Sequence, residues 1–432
     1  MMIATPEGTL ARTPIPAVVR QHVEEAAHLR NVRSILAHAA HVRLRHLARL
    51  DERIAAHLDG IAVAGEYGTT LCRQAFDPPG TGSVFAATVL AIESRDAAQL
   101  PKLLALSQGA AQCRRGVLSA FGWVSGASLR GITKPLLGAD EPWWREVGLA
   151  ACAMHRVDPG LAVLRQAIDP TGDPGLTSRA LRVAATLGIV SFRDSCVDLL
   201  RTDAEGPIVF AAARAATLLG DRSGAVDVLR LRGSAACAER EAALSLWLKL
   251  APLDEARALL KALHGEPTAT RTLVRVVGVV GDASYVPWLI ARMDDPALTR
   301  LAGESFSLIT GLDLAYVDLD RKPPESAGSD PNVDPADSDV ATAADDSLPW
   351  PDPQQVTAWW KANGARFADG TRYFMGEPLS QAHCFSVLQT GCQRQRRHAA
   401  EYLCLLKPGT PLFNIAAPAW RQQRLLAQMS GS

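Results

Sequence analysis

Residues 179–220 read RALRVAATLGIVSFRDSCVDLLRTDAEGPIVFAAARAATLLG. The stretch opens and closes on one phrase, a run of alanines and branched residues that ends in Leu-Gly, first at Gly188 and again at Gly220. These two glycines are 32 positions apart. TLVRVVGVVG ends at Gly281, a further 61 positions along, or two steps. The intermediate step falls at Leu250, where EAALSLWLKLAPLDEARALL supplies the unit without its glycine. Working outward, SFSLITG ends at Gly311, LAACAMHR at Arg156 and LSAFG at Gly122. ATVLAIES followed by AAQLPKLLAL starts the series. Self-similarity at a fixed period, here about 31 residues, marks a repeat architecture.

Each slot is followed by a short turn and a second apolar segment with helical spacing: DRSGAVDVLRL after Gly220, DASYVPWLIARM after Gly281, VDPGLAVLRQAI after Arg156. A glycine supplies the left-handed residue that ends one helix and lets the chain reverse. Asp221 or Ser223, and Asp282 or Ser284, can then cap the next helix through backbone N–H groups. Paired helices at this period predict an all-α fold, a HEAT-repeat α-solenoid, over residues 69–320. Residues 1–68 are expected to form an N-terminal helical cap, with a heptad-like line at Leu44, Leu47, Leu50, Ile54 and Leu58. Residues 321–351 are expected to form an acidic Pro/Ser/Asp linker without a packed core, because 323–352 hold eight acidic side chains and no basic one. Helical segments resume over 352–432.

The 432 residues carry 45 basic and 45 acidic groups, and 48% are hydrophobic. That is ample material for a core. No apolar run is long enough to span a membrane, and the first residues lack the pattern of a secretory signal, so a cytoplasmic chain is expected. Zero net charge argues against a surface built for nucleic acid or anionic lipid. Arginine supplies 38 of the 45 basic groups and alanine is abundant; both read as the codon bias of a GC-rich bacterial genome. The eight scattered cysteines read as reduced core residues.

Catalytic signatures are lacking: there is no H-E-x-x-H, no G-x-S-x-G and no Walker loop ending in Gly-Lys-Ser/Thr. Pro79-Gly80-Thr81-Gly82-Ser83 imitates a phosphate loop without its lysine and reads as a turn with an N-cap at Ser83. Six of ten histidines come early (22, 28, 38, 41, 46, 57), and His38 and His41 share a helical spacing. His383, Cys384, Cys392, His398 and Cys404 match no zinc-binding spacing. No catalytic residue, metal or cofactor is therefore expected. Candidate partner-binding residues are the aromatic pairs Trp143-Trp144 beside Arg145 and Trp359-Trp360, since one ring of each pair can face outward. Both rings can equally staple the repeat stack. The basic groups Arg394, Arg396, Arg397, Arg421 and Arg424 complete the set. They could meet the acidic linker in cis, bind an acidic partner or solvate a helix.

EEAAHLRNVRSILAHAAHVRLRHLARLDERIAAHLDGIAVAG at 24–65 resembles the N-terminal signature of a proteobacterial HEAT-repeat family of uncharacterised function. LPWPDPQQVTAWW, GTRYFMGEPLSQAHC, GCQRQRRHAAEYLCLLKPGTPLFN and APAWRQQRLL resemble that family's end. Its members are often encoded beside type VI secretion genes. The resemblance implies a part in effector loading or delivery, with a secretion effector or a spike-associated protein as partner. The extended repeat surface points to a non-enzymatic adaptor or chaperone. A toxin-occluding immunity protein is the related alternative. An enzyme or nucleic-acid binder of the alkylpurine glycosylase or bilin lyase type is the alternative from another class; a glycosylase would require a basic concave groove with an aromatic–Asp pair facing it.

Overall fold

Apolar residues three and four apart turn the series of Leu-Gly phrases into helices, and the glycines mark where they stop. The structure, a computed structural model, describes residues 13–75, 79–169, 172–202, 206–324 and 345–431. Three helices open the chain and pack together: α1 (Pro16–Leu36), α2 (Leu44–Val63) and α3 (Gly65–Gln74). Then come α4 (Thr81–Glu93), α5 (Gln99–Gly109), α6 (Ala111–Trp123), α7 (Thr133–Leu137) and α8 (Pro142–His155). They are followed by α9 (Leu161–Ala167), α10 (Pro174–Leu187), α11 (Arg193–Leu199), α12 (Gly206–Leu218) and α13 (Gly224–Ser234). The series ends with α14 (Arg240–Leu248), α15 (Leu253–His264), α16 (Thr270–Val280), α17 (Val286–Arg292) and α18 (Thr299–Thr310). From α4 to α18 each even-numbered helix packs on the next, forming a row, and each odd-numbered helix packs on an even-numbered one beside it. Among the described residues the fold is all-α apart from two short strand pairs.

The row helices are nearly apolar. Ala212, Ala213, Ala215, Ala216 and Leu218 of α12, and Val274, Val276, Val277 and Val280 of α16, are all buried in one continuous core. Each fully buried branched side chain contributes about 1.5–3 kcal/mol of transfer free energy. Helices α8, α10, α16 and α18 end on a left-handed residue, at Arg156 (φ 56°), Gly188 (70°), Gly281 (72°) and Gly311 (75°), and Gly220 (104°) follows α12. Asp221 and Asp282, rather than the serines, accept the backbone N–H groups that follow. Gly122 departs from the expectation. It lies inside α6, where a Cβ would stand 2.6 Å from Met154 Sδ, so it serves the close approach of α6 and α8. Ser83 also differs: α4 begins at Thr81, and the Ser83 hydroxyl reaches back to the Gly80 backbone from inside the first turn.

After α18 the chain forms β1 (Asp320–Arg321), which pairs antiparallel with β2 (Trp350–Pro351). The C-terminal region then forms α19 (Pro353–Asn363), the hairpin β3 (Tyr373–Phe374) and β4 (Glu377–Pro378), α20 (Gln381–Thr390), α21 (Gln393–Leu406) and α22 (Ala419–Ser430). Part of the expected linker, residues 325–344, lies outside the described residues. Its flanks are packed, contrary to expectation. Asp345 is 3% exposed and pairs with Arg271 and Arg275 of α16. Asp346 pairs with Arg300 of α18 at 3.0 Å, and Leu348 and Trp350 are buried. These acids thus meet arginines of the row and not those of the C-terminal helices.

The left-handed glycines have a second task, because the C-terminal region crosses them closely. A Cβ at Gly281 would lie 2.1 Å from the Tyr373 carbonyl oxygen, whereas one at Gly131 (φ 81°) would meet nothing within 4 Å. An L-residue forced into the left-handed region costs about 1–2 kcal/mol. Gly131→Ala should therefore lose only about that much in urea denaturation, and Gly281→Ala clearly more. Equal losses would show that the C-terminal crossing does not constrain Gly281.

Candidate functional site

A helix leaves its last carbonyls without partners, and here the C-terminal region supplies donors to six of the eight row helices. Arg421 reaches the carbonyls of Gly122 (2.7 Å), Val124 (3.0 Å) and Met154 (3.4 Å) at the ends of α6 and α8. Leu412 N donates to Thr186 of α10 at 2.9 Å. Arg372 reaches Leu248 and, at 2.7 Å, Ala251 beyond α14. The Tyr402 hydroxyl donates to Val279 and Tyr373 N to Gly281 at the end of α16. Met375 N and Gly376 N donate to Leu308 and Ile309 of α18. At α12, Pro408 packs on Gly220, and Arg222 donates to Leu405 O at 2.8 Å.

The N-terminal helices hold the same region from the other side. Asp51 of α2, 1% exposed, receives the Arg33 guanidinium and accepts from Ala419 N at 2.7 Å, capping α22 from outside its own helix. Arg33 also donates to the carbonyls of Ala416 and Ala417, both at 2.9 Å. Gln393 reaches Ala37 O through its amide and Val42 O through its backbone N–H. Arg43 bonds Asp313 and Thr390 O, which ties the α1–α2 turn to the end of the row.

This clasp reassigns most of the residues expected to bind a partner. Arg396 is wholly buried and donates to Leu388 O and to the side chains of Gln393 and Gln422, so it cannot meet a partner. Arg421 is spent on row carbonyls, and Arg394 pairs with Glu304 at 2.8 Å. Trp143 is buried, and its indole N–H donates to Leu104 O and Ser107. Trp144 packs half-buried on the N-terminal core, and Arg145 keeps one buried nitrogen without a hydrogen bond. Trp359 and Trp360 join a line of rings, Phe306, Trp359, Trp360, Phe367 and Tyr373, with centroids 4.9–6.5 Å apart. That line staples the C-terminal region onto the row. Arg397 and Arg424 alone among the ten are exposed.

Between the row and α21 lies a polar space that the sequence did not reveal. Arg179, Arg182, Arg214, Arg397, His38 and Glu401 line a cleft of about 600 Å³. An adjoining cavity of about 530 Å³ shares four of them and adds Arg275, Glu304 and His398. Lys249, with no exposed side-chain surface, bonds Glu401 at 2.6 Å, and Arg214 stands 3.6 Å from the same carboxylate. Burial would push the Glu401 carboxyl up, but Lys249 and Arg214 prevail and hold it at about 2. Burial, helped by the Lys249 ammonium, pushes His398 down to about 3, and its Nδ1 has no hydrogen-bond partner. Spacing gave no hint of this cluster, since its members come from positions 38 to 401 and meet only through the fold.

A third feature sits on the odd-numbered layer. Ala258, Leu260, Lys261 and His264 of α15, Leu273 and Val277 of α16, and Tyr285 and Trp288 border an open apolar groove of about 450 Å³. The His264 and Trp288 rings meet edge to face at 6.3 Å, and Arg292 lies 5.5 Å over the Trp288 ring. Among the described residues, no three His, Cys, Asp or Glu side chains gather as a metal-ligand set. Nor is any helix there long and apolar enough to cross a membrane. Comparison with protein-family models, with curated proteins and with solved structures finds no match.

Asp51→Ala strands Arg33 and uncaps α22; breaking a buried pair costs about 3–5 kcal/mol. Amide exchange in 419–430 should rise more than in α16, and equal protection in variant and parent would refute this role. The buried titrating groups set the acid side of the stability profile. Glu401, depressed from 4.5, gives stability that is present above that value and lost as pH falls toward 2. His398 faces Lys249, Glu401, Arg397 and Arg394 and stays neutral in the fold. The unfolded chain takes up its proton below about 6.5, so stability falls from there toward pH 3. His398→Gln should flatten the denaturation-midpoint profile between pH 7 and 5. An unchanged slope would remove His398 from that limb.

Proposed function

We propose that the chain is a non-enzymatic protein-binding scaffold of the HEAT-repeat solenoid type, acting as an adaptor or chaperone. The row of paired helices with left-handed ends at a near-constant period supports the solenoid reading. The observation that carries the binding reading is the groove between α15, α16 and Trp288. It presents an aromatic anchor and aliphatic walls, as interface centres do, and its rim is basic through Lys261, His264 and Arg292. Those features fit an amphipathic helix of a partner protein with acidic flanks, laid into the groove on its apolar face. The resemblance of the two ends of the chain to a family encoded beside type VI secretion genes points to an effector or spike-associated protein as that partner, in the cytoplasm.

The alternative on nucleic acid requires an open, basic inner face. Arginines do face inward from α10, α12 and α16, but α21 and residues 412–416 lie over them. The remaining clefts admit a small molecule rather than a duplex. An immunity protein would use the same outer groove, with a toxin as its occupant.

Full-length protein carrying a photo-crosslinker at Lys261 is the direct test, with Trp288→Ala beside it. The expected result is a crosslink to an acidic, amphipathic segment of one protein from the native cytoplasm. That crosslink should fall at least tenfold in the variant while the thermal midpoint shifts by only a few degrees. Crosslinking that ignores Trp288, or that maps to segments without acidic flanks, would overturn the groove as the docking site.

A further inference from the structure

The cleft between the row and α21 is built differently from the rest of the protein's ionic contacts. Several arginines elsewhere are matched by carboxylates: Arg33 with Asp51, Arg240 with Glu266, Arg257 with Asp282 and Asp369, Arg275 with Glu241 and Asp345. Arg372, Arg396 and Arg421 are instead taken up by carbonyl and amide oxygens. Around the cleft, Arg179, Arg182, Arg214, Arg397 and Lys249 share two carboxylates as ion-pair partners among the described residues, Glu146 and Glu401. Glu146 is a poor match for Arg179, at 3.8 Å, and leaves the Arg179 Nε buried without a hydrogen-bond partner. Arg182 forms no ion pair among the described residues. Among the described residues Arg397 donates to the Nδ1 of His38 alone, at 2.8 Å, which fixes that ring nitrogen as an acceptor.

The guanidiniums also disfavour one another. Burial pushes Arg179 down to about 10 and the Arg182 charge adds to it; Arg182 is lowered by burial and then by Arg214. Like charges gathered at a half-buried site cost stability unless a counter-charge joins them. Four come from three separate elements, α10, α12 and α21, so the cluster is assembled only when the C-terminal region is docked. Apolar groups line much of the rest, small ones such as Ala150, Ala153 and Ala242 and larger ones such as Leu412, Phe413 and Ile415. At about 600 Å³ the cleft falls within the range of small-molecule sites, roughly 300–1,000 Å³. A carboxylate brings one charge and two oxygens lying in one plane. A phosphate group carries up to two charges and has three outer oxygens, so it can take forks from several directions.

We infer that this cleft is a binding site for a small phosphate-bearing ligand, held by Arg179, Arg182, Arg214 and Arg397, with its apolar body against the alanine-lined wall. The site is independent of the outer groove, so the chain can carry a ligand and a protein partner at once. It also gives the chain a way to sense a metabolite, because the ligand would bridge the row to α21 and tighten the clasp.

Isothermal titration of the full chain with inorganic pyrophosphate tests this, with citrate and a short DNA duplex as separate arms. The expected result is saturable one-site binding of pyrophosphate. Arg182→Ala and Arg397→Gln should each weaken it at least tenfold, whereas Arg201→Ala should leave it unchanged. The Arg201 side chain, in the turn beyond α11, is 75% exposed and controls for loss of one charge. Arg182 and Arg397 keep more exposed surface than Arg179 and Arg214, so the variants should fold, as a retained thermal midpoint would show. No pyrophosphate binding, or equal weakening by Arg201→Ala, overturns the site. Tighter binding of citrate overturns the phosphate class, and tighter binding of the duplex, sensitive to Arg182, makes the cleft a nucleic-acid contact instead.

Discussion

Every helix that ends in a sharp reversal presents carbonyl groups that its own backbone cannot satisfy, and a row of eight such helices presents them side by side. Left in an apolar surrounding, each unsatisfied group costs about 1–3 kcal/mol. For six of the eight helices this chain meets part of the requirement with one continuous device, the C-terminal region. Its backbone N–H groups at Tyr373, Met375, Gly376 and Leu412, and the side chains of Arg372, Tyr402 and Arg421, take up carbonyls along the row. The left-handed glycines are small for the same reason: at Gly188, Gly281 and Gly311 a Cβ would fall on a carbonyl oxygen of the crossing chain.

That dependence explains which parts of the fold were legible in the sequence. The period of the Leu-Gly phrases is local and repeated, so the helices, their ends at Arg156, Gly188, Gly281 and Gly311, and the capping aspartates could all be read from it. Where the C-terminal region goes could not be read, because its contacts join residues hundreds of positions apart. Arg33 and Ala417, Asp51 and Ala419, and Gln393 and Ala37 share no spacing rule. A tethered helical end was therefore expected where the chain has its clasp. Asp345 shows the same limit. Its composition belongs to a solvated linker, yet its carboxylate is buried between two arginines of α16.

The candidate site was legible only in its raw materials. Trp143, Trp359, Arg396 and Arg421 stood out for the right reason, being large or charged groups that need a partner, and each has found one inside the molecule. The groove at Trp288 was quoted in the sequence only as the second helix of a repeat, since one tryptophan among aliphatic residues reads as core. The cleft at Arg182 and Arg397 was hidden because its members come from three helices far apart in the chain.

Zero net charge and abundant arginine take on a different meaning together. Codon bias can put arginine into a sequence, but it does not decide where arginine survives. Lysine offers a single rotatable ammonium; arginine offers a planar fork that reaches two acceptors at once. Arg33, Arg372 and Arg421 each use that fork to hold two or more backbone carbonyls, a task that leaves the positive charge uncompensated by any carboxylate at Arg372 and Arg421. Neutrality of the whole chain therefore coexists with a local excess of positive charge along the seam between the row and the C-terminal region. At the cleft, among the described residues, the guanidiniums of Arg179, Arg182 and Arg214 donate to no carbonyl and share two carboxylates, Glu146 and Glu401. A seam held by cations and opening onto a half-satisfied cluster is where an anionic ligand would have most effect on how firmly the chain closes.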